Sequence, residues 1–573
     1  MGLFRKKPLD HVSATEGEIH GGHALGRHLS VRDLTFFGIA AIIGAGSFSS
    51  MGQACFSGGP GVVLLFVLCG IACGFTALCY AEFAARVPAS GSAYTYAYVS
   101  FGELFAWIIG WALLMEYSIG NIYVAFSWSG YFTNLLDGLG LHLPEWLTIN
   151  YRAAHTASQH TLASIFAANA PSASAGAREA LSLAMASEGN IAWTTAPMLG
   201  PLRIIFDLPA VLINALITWL VYTGVKESRN ASNAMVIVKL AIITLVVLVG
   251  AFYVDIANWT PFMPNGFGGV MAGVSAVFFA YIGFDAVSTL AEESKDPQRD
   301  LPRGMIWSLV ICTIVYILLA LVLTGMVSWS QLGVSDPLAE VFALRGVKWM
   351  LFIVSIAAVV AMTSVMLVFQ LGQPRIWMSM SRDGLLPKRF ASIHPKYKTP
   401  GFSTIVTGLV VGVPIFFTDE SFILDFTSIG TLFAFVLVCG GVLVLPRRTK
   451  TVGRFHLPHI NSRWTAPAML LVVIGIVAYG VPSYFPGLLT IDVEHAAQQI
   501  PQLVFWPITV LVVVLAHLKN WSLIPVLGLL SCCYLLTGMA VSNWFWFAVW
   551  LVIGLACYFA YGYRHSKLAP ARP

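Results

Sequence analysis

Apolar residues occupy this chain in long runs broken by short polar punctuation, and fourteen of those runs approach the length of about 20 residues that a helix needs to cross a bilayer. They cover approximately 33–57, 61–84, 101–134, 207–224, 232–254, 268–292 and 304–328. The rest cover approximately 349–380, 403–418, 423–445, 466–484, 502–517, 522–540 and 544–563. The pattern predicts an all-α polytopic membrane protein with about 14 spans. Two runs are interrupted at their middles, the first by Ile42-Ile43-Gly44-Ala45-Gly46-Ser47-Phe48 and the sixth by Phe278-Phe279-Ala280-Tyr281-Ile282-Gly283-Phe284-Asp285. Two glycines one residue apart cost a helix about 2 kcal/mol relative to alanine. A backbone group freed in hydrocarbon costs several more unless something satisfies it. Interrupted helices at corresponding positions of two halves point to a substrate site near the bilayer midplane.

Composition agrees with this reading: of 573 residues, 57% are hydrophobic and 10% charged, against roughly 25% charged in soluble domains. Placing the N-terminus inside puts 26 of the 32 Lys and Arg on the cytoplasmic side, and leaves Arg152, Arg178, Arg203, Arg345 and Lys348 outside. This bias follows the positive-inside rule and sets both termini in the cytoplasm. Topology therefore accounts for the net charge of +5, and no nucleic-acid partner is implied. Twenty or so polar residues precede the first run, so it is expected to act as the insertion signal itself. The nine cysteines fall in or beside apolar runs, which argues against loop disulfides and zinc sites. His11, His20, His23 and His28 are too irregularly spaced to imply a metal site, and no cofactor is implied. The segment 135–206, rich in Ala and Ser, is expected to be an extracytoplasmic loop with short helices, one near 177–186.

Three charged side chains fall where charge is expensive. Lys239 lies seven residues into the fifth run, on the order of 10 Å deep. It either snorkels to the interface or turns its ammonium inward as a proton-coupling group. Glu116, halfway along the third run, is either a paired structural carboxyl or a proton carrier or gate. Asp285 follows the second break, where a carboxylate suits the start of the outgoing half-helix; a contact to a substrate ammonium is the alternative. Glu292 and Glu293 read as gate or interface charges. The amides of Gly44, Ala45, Gly46 and Ser47 begin a half-helix whose positive end suits a carboxylate. Unwound carbonyls at Ile43, Phe279, Ala280 and Ile282 suit an ammonium. An anion site beside a cation site describes an α-amino acid zwitterion, with a side-chain pocket from Phe279, Ile282, Tyr281 and residues near Met362.

These features resemble the amino acid, polyamine and organocation transporter superfamily, and within it the cationic amino acid transporter branch and its bacterial homologues. The resemblance rests on Ile43-Gly44-Ala45-Gly46, Ala81-Glu82-Phe83, Pro88-Ala89-Ser90-Gly91-Ser92-Ala93-Tyr94 and Gly283-Phe284-Asp285 with Glu292-Glu293. It also rests on Asp296-Pro297-Gln298-Arg299-Asp300-Leu301-Pro302, Pro374-Arg375, Met380-Ser381-Arg382-Asp383-Gly384-Leu385-Leu386-Pro387 and Tyr561-Gly562-Tyr563-Arg564-His565-Ser566. It covers nearly the whole chain outside 140–205. It implies the bacterial leucine transporter fold, two inverted five-helix repeats working by alternating access. The expected divisions are a tail at 1–32, repeats at 33–254 and 268–445, further spans at 466–563 and a tail at 564–573.

The same resemblance places Lys239 where distant sodium-coupled relatives hold a sodium ion, and so implies a plasma-membrane permease coupled to protons. Met362 and the phenylalanines favour neutral amino acids. Arginine or lysine transport, with Glu116 reading the side chain, and amino acid exchange are the alternatives. An amino-acid sensor keeping this fold would need an output domain, which neither tail resembles. An enzyme is disfavoured by the absence of paired catalytic aspartates in adjacent spans and of a His-Glu-x-x-His motif. The sequence implies nothing about an accessory subunit.

Overall fold

A computed structural model of the chain describes residues 3–8, 27–44, 46–168, 181–182, 184–334, 336–418, 420–446, 454–480, 482, 484–490, 496–539 and 541–569. Ala45, three of the four N-terminal histidines (His11, His20 and His23), the segment 170–177, and Arg178, Arg447, Arg448, Lys450 and Arg572 lie outside the described residues.

A helix lies over every apolar window. The first half contains α1 (Val31–Ile42), α2 (Met51–Gly58), α3 (Val62–Arg86), α4 (Ala93–Ser100) and α5 (Glu103–Gly138). After them come α6 (Tyr151–Ala168), α7 (Glu188–Thr195), α8 (Leu208–Thr223) and α9 (Val225–Ala251). The second half contains α10 (Gly266–Ala272), α11 (Val274–Tyr281), α12 (Pro297–Met326), α13 (Pro337–Leu344), α14 (Lys348–Arg382), α15 (Gly401–Ile415) and α16 (Glu420–Val444). The last part adds α17 (Thr465–Gly480), α18 (Tyr484–Leu489), α19 (Ala496–Lys519), α20 (Leu523–Thr537) and α21 (Val541–Cys557). Among the described residues, seven helical stretches are long and apolar enough to cross a membrane, with five shorter apolar helices beside them. The one β element described is a two-residue hairpin, Met198–Leu199 against Leu202–Arg203.

Helix starts follow from local chemistry. Ser30 and Asp33 form a reciprocal capping box on α1, and Asp207 caps α8 by accepting from the Ala210 amide at 3.0 Å, each satisfying amides left open by the first turn. Packing buries an apolar core as in a soluble protein, but leaves the outer surface apolar as well. Glu116, Lys239, Asp285 and Arg375 are fully buried, whereas Trp219, Leu248 and Ile314 are 65%, 59% and 54% exposed. Apolar side chains facing outward, with the few charged ones confined to the interior, are what a hydrocarbon solvent selects. At the core, α12 packs along α1 and α3, while α14 packs along α5 and α9.

The loop between α5 and α8 departs from expectation. It contains an 18-residue helix, α6, packed on α7 around Ala154 and Ala192. Of the short helix expected near 177–186, only the last part falls among the described residues. Small residues let α6 and α7 approach closely, a packing signal that apolar periodicity does not register.

Gly283 carries the sharpest backbone turn of the sixth span, at φ +115°, and a Cβ there would lie 2.8 Å from the Ala41 Cβ. Gly283→Ala is expected to lower thermal stability in detergent by about 1–3 kcal/mol. Gly74→Ala, on α3 with nothing within 4 Å of the added methyl, is expected to be neutral or stabilising by up to about 1 kcal/mol. Equal melting temperatures for the two variants would contradict the strained crossing.

Candidate functional site

The two breaks meet face to face. The α1 helix stops at Ile42, and Ile43 is extended at φ −81° and ψ 102°. After Gly44 the chain re-enters helix through a π turn, Gly46–Ser50, leading into α2. Opposite it α11 ends at Tyr281, Ile282 is extended, and the chain continues as a 3₁₀ segment, Phe284–Glu293. A Cβ on Gly46 would lie 2.5 Å from the Ala280 Cα, so the second break occupies the space a side chain would need.

A cavity of about 20 Å³ remains at the crossing, walled by the Gly44 and Gly46 backbone and by Val124, Phe279, Ile282, Val365 and Phe369, with Ala41 and Ile42 completing it. None of the described lining residues is ionisable. This is room for about one water molecule. Anything larger than water enters only if the helices separate.

The carbonyls freed by the breaks are taken by protein groups. Lys239 on α9 does not snorkel: it is fully buried. Its Nζ donates to the carbonyls of Ile39 at 3.0 Å, Ala40 at 3.2 Å and Ile43 at 2.8 Å, and to Ser364 Oγ on α14 at 2.9 Å. Three N–H bonds shared among four oxygens satisfy the unwound end of α1. No carboxylate forms an ion pair with Lys239 among the described residues. Tyr316 on α12 bridges the two breaks, its hydroxyl 2.8 Å from the carbonyls of Ile42 and of Ala280, between which its one proton is shared. The sequence reading missed Tyr316. A lone tyrosine inside an apolar run is the signal, because a buried phenol seeks a partner.

The other expected contacts divide. Ser47 donates its hydroxyl to the Gly44 carbonyl at 2.8 Å and its amide to the same oxygen at 3.0 Å, which leaves Gly44 and Gly46 as the break's backbone at the cavity wall. The Phe279 carbonyl accepts from the Ile282 amide. Tyr281 points away, donating to the Phe66 carbonyl at 2.8 Å. Met362 is fully buried on α14 and is not part of the lining, whereas Val365 and Phe369 of the same helix are.

Beside the cavity lies a buried acidic group. Asp285 is in the first turn of the 3₁₀ segment, whose cap is Gly283, and it accepts from the Tyr117 hydroxyl at 3.5 Å. Tyr117 in turn stacks obliquely on the cavity-lining Phe369 at 5.4 Å. Glu116 is fully buried, with Asp285 as an electrostatic neighbour and the Thr431 hydroxyl as a hydrogen-bonding one.

Two polar layers close the site above and below. At the end carrying the N-terminus, Glu293 pairs with Arg375 at 2.6 Å, both fully buried, and Glu292 pairs with Arg382 at 2.7 Å. The amides of His28 and Leu29 donate to the Glu293 carbonyl there, tying the entry of α1 to the exit of the sixth span. At the opposite end the Tyr131 hydroxyl on α5 lies 2.9 Å from the Phe48 carbonyl and 2.8 Å from Asp336 Oδ1, the cap of α13.

Comparison with known proteins places the sequence in a family. The model described as "Amino acid permease" matches residues 29–516, and one described as "C-terminus of AA_permease" matches residues 523–566. The branched-chain amino acid permease of Bacillus subtilis (strain 168) is 37% identical over 568 residues, 99% of this chain and 99% of that one. The methylthioribose transporter of the same organism is 35% identical, covering 99% of both chains. The chloroplastic cationic amino acid transporter 9 of Arabidopsis thaliana is 33% identical over 98% of this chain and 93% of its own.

Burial pushes the Asp336 carboxyl, in the loop between α12 and α13, up to about 6. A raised carboxyl binds its proton in the packed state before it does when solvated. The folded protein therefore gains stability as pH falls through about 6, by relief of the buried charge, even though the Tyr131 hydroxyl and the Ala339 amide bind the carboxylate more strongly than the protonated acid. Asp336→Asn is expected to be at least as thermostable as the parent at pH 7 and to lack the parent's stability gain between pH 7 and 5. Parallel pH profiles for the two proteins would contradict this.

Proposed function

The chain belongs to the amino acid permease family, and from that premise we propose that it is a secondary transporter of neutral amino acids, driven by protons and working by alternating access. It is a multi-pass membrane transporter rather than an enzyme. The observation that carries the substrate reading is the cavity wall: backbone at Gly44 and Gly46, apolar side chains elsewhere, and no ionisable residue among the described lining. A zwitterion's charged groups are met there by backbone, and a guanidinium would be buried without a partner, which is costly. Relatives of matching length are named for branched-chain amino acids, cationic amino acids and methylthioribose. Pocket chemistry therefore has to choose among them.

The fold assigned to this function is two inverted repeats, 33–254 and 268–445, with about 14 spans in all, further helices at 466–563 and both termini in the cytoplasm of a plasma-membrane protein. Support comes from the opposed breaks and from a fifth-span lysine that contacts both α1 and α14. In this reading Gly44, Ala45, Gly46 and Ser47 meet the carboxylate side, while Ile43, Phe279, Ala280 and Ile282 frame the ammonium and the side chain, and Met362 backs the pocket. Because Lys239 and Tyr316 hold the Ile43 and Ala280 carbonyls in the closed site, the substrate ammonium competes for them as the helices part. Lys239 supplies proton coupling and Asp285 and Glu116 gate it. The fully buried Glu116 carboxyl, which no cationic side chain pairs among the described residues, favours one second reading, a cationic side chain reaching past Phe369.

Uptake of a labelled amino acid panel into proteoliposomes tests the choice. Leucine, valine and alanine are expected to accumulate faster under an inward proton gradient, with arginine a poor competitor. Arginine or lysine uptake that Glu116→Gln abolishes would replace this reading with the cationic one.

A further inference from the structure

A second cavity, of about 420 Å³, lies far from the helix breaks, between the end of α3, the end of α16, the extended stretch 454–462 and the junction of α19 with α20. Its volume falls in the range of about 300–1,000 Å³ typical of small-molecule sites. Four basic side chains line it: Arg86, His456, His459 and Lys519. Among the described lining residues the one acid, Glu82, forms an ion pair with Arg86 at 2.6 Å, which offsets the charge of that guanidinium and leaves its remaining N–H groups as hydrogen-bond donors. The Glu82 Oε1 accepts from Arg86 Nε at 2.6 Å and its Oε2 from the Leu457 amide at 2.7 Å, with the carboxylate buried. Arg86 also donates to the Pro446 carbonyl at 2.9 Å, so its guanidinium is fixed at the wall.

The rest of the lining is of a different kind. Val442, Leu443, Leu445 and Pro525 make one wall apolar. Trp521 stands at the rim with the Lys519 ammonium 5.8 Å from its ring centroid, the placement aromatic residues take at a membrane–water interface. A soluble anion would use the basic rim and leave the apolar wall without a purpose.

We propose that this cavity is a binding site for an anionic phospholipid of the cytoplasmic leaflet, its phosphate held by Arg86, His459 and Lys519 and its glycerol and first acyl carbons lying on the α16 wall. The chemistry recognised is a phosphate ester on an apolar anchor, the kind of headgroup that basic pockets between helices take up on the cytoplasmic side. The site is independent of the transport reading except for the leaflet assigned, which rests on the orientation given above.

The test is native mass spectrometry of the full-length protein released from nanodiscs with defined lipids, with no transport measurement in the readout. Phosphatidylglycerol or cardiolipin is expected to remain bound after detergent exchange, and phosphatidylcholine is not. The double variant Lys519→Gln with His459→Gln, at exposed rim positions, is expected to weaken anionic-lipid retention about tenfold with an unchanged melting temperature, and Lys519→Arg is expected to retain it. Equal retention of anionic and zwitterionic lipid, or parental retention by the double variant, would overturn the proposal. So would thermal stabilisation by inorganic phosphate or glycerol 3-phosphate that matches the lipid's and is lost in the double variant, because the site would then belong to a soluble anion.

Discussion

A carbonyl freed in the middle of a bilayer must be given a donor, and the rest of this structure is arranged around that obligation. Breaking α1 at Ile43 and α11 at Ile282 exposes backbone oxygens where no bulk water reaches. Lys239 and Tyr316 answer them from two other helices. Each donor contacts more than one acceptor, so neither break can move without disturbing bonds shared with its surroundings. The Lys239 ammonium is itself buried without a carboxylate partner among the described residues. Its charge is held by dipoles alone, a state that depends on the helices staying where they are.

From this follows the behaviour of the site. The crossing is tight because Gly46 lies against Ala280 and Gly44 against Val365. The remaining space suits a water molecule, so substrate entry and exit require opening. The layers that resist opening differ in chemistry. Toward the N-terminal end stand two carboxylate–arginine pairs, one fully buried, and breaking a buried pair costs several kcal/mol. Toward the other end stands a hydroxyl shared between a backbone carbonyl and a carboxylate, a lighter latch whose strength depends on pH.

Much of this was legible in the sequence, and the parts that were not share one cause. The breaks could be read because glycine spacing and an apolar context are local properties. The depth of Lys239 could be read from residue counting, whereas its direction depends on where the carbonyls of α1 lie. Glu292, Glu293, Arg375 and Arg382 were all visible, and the two arginines share a helix face at i, i+7; their pairing across helices was not. Met362 was one to two turns from the residues that line the cavity, Val365 and Phe369, because composition names the helix but not its rotation. Tyr316 went unread because its role exists only where α12 meets both breaks.

The most direct measurement compares the parent protein with Lys239→Ala in proteoliposomes, recording substrate binding together with accumulation under imposed proton gradients across a range of pH. Lys239 as the coupling group predicts that the variant keeps part of its substrate binding while gradient-driven accumulation and its pH dependence disappear. Accumulation with an unchanged pH profile would contradict that account and leave Lys239 as a structural donor to the broken helix alone.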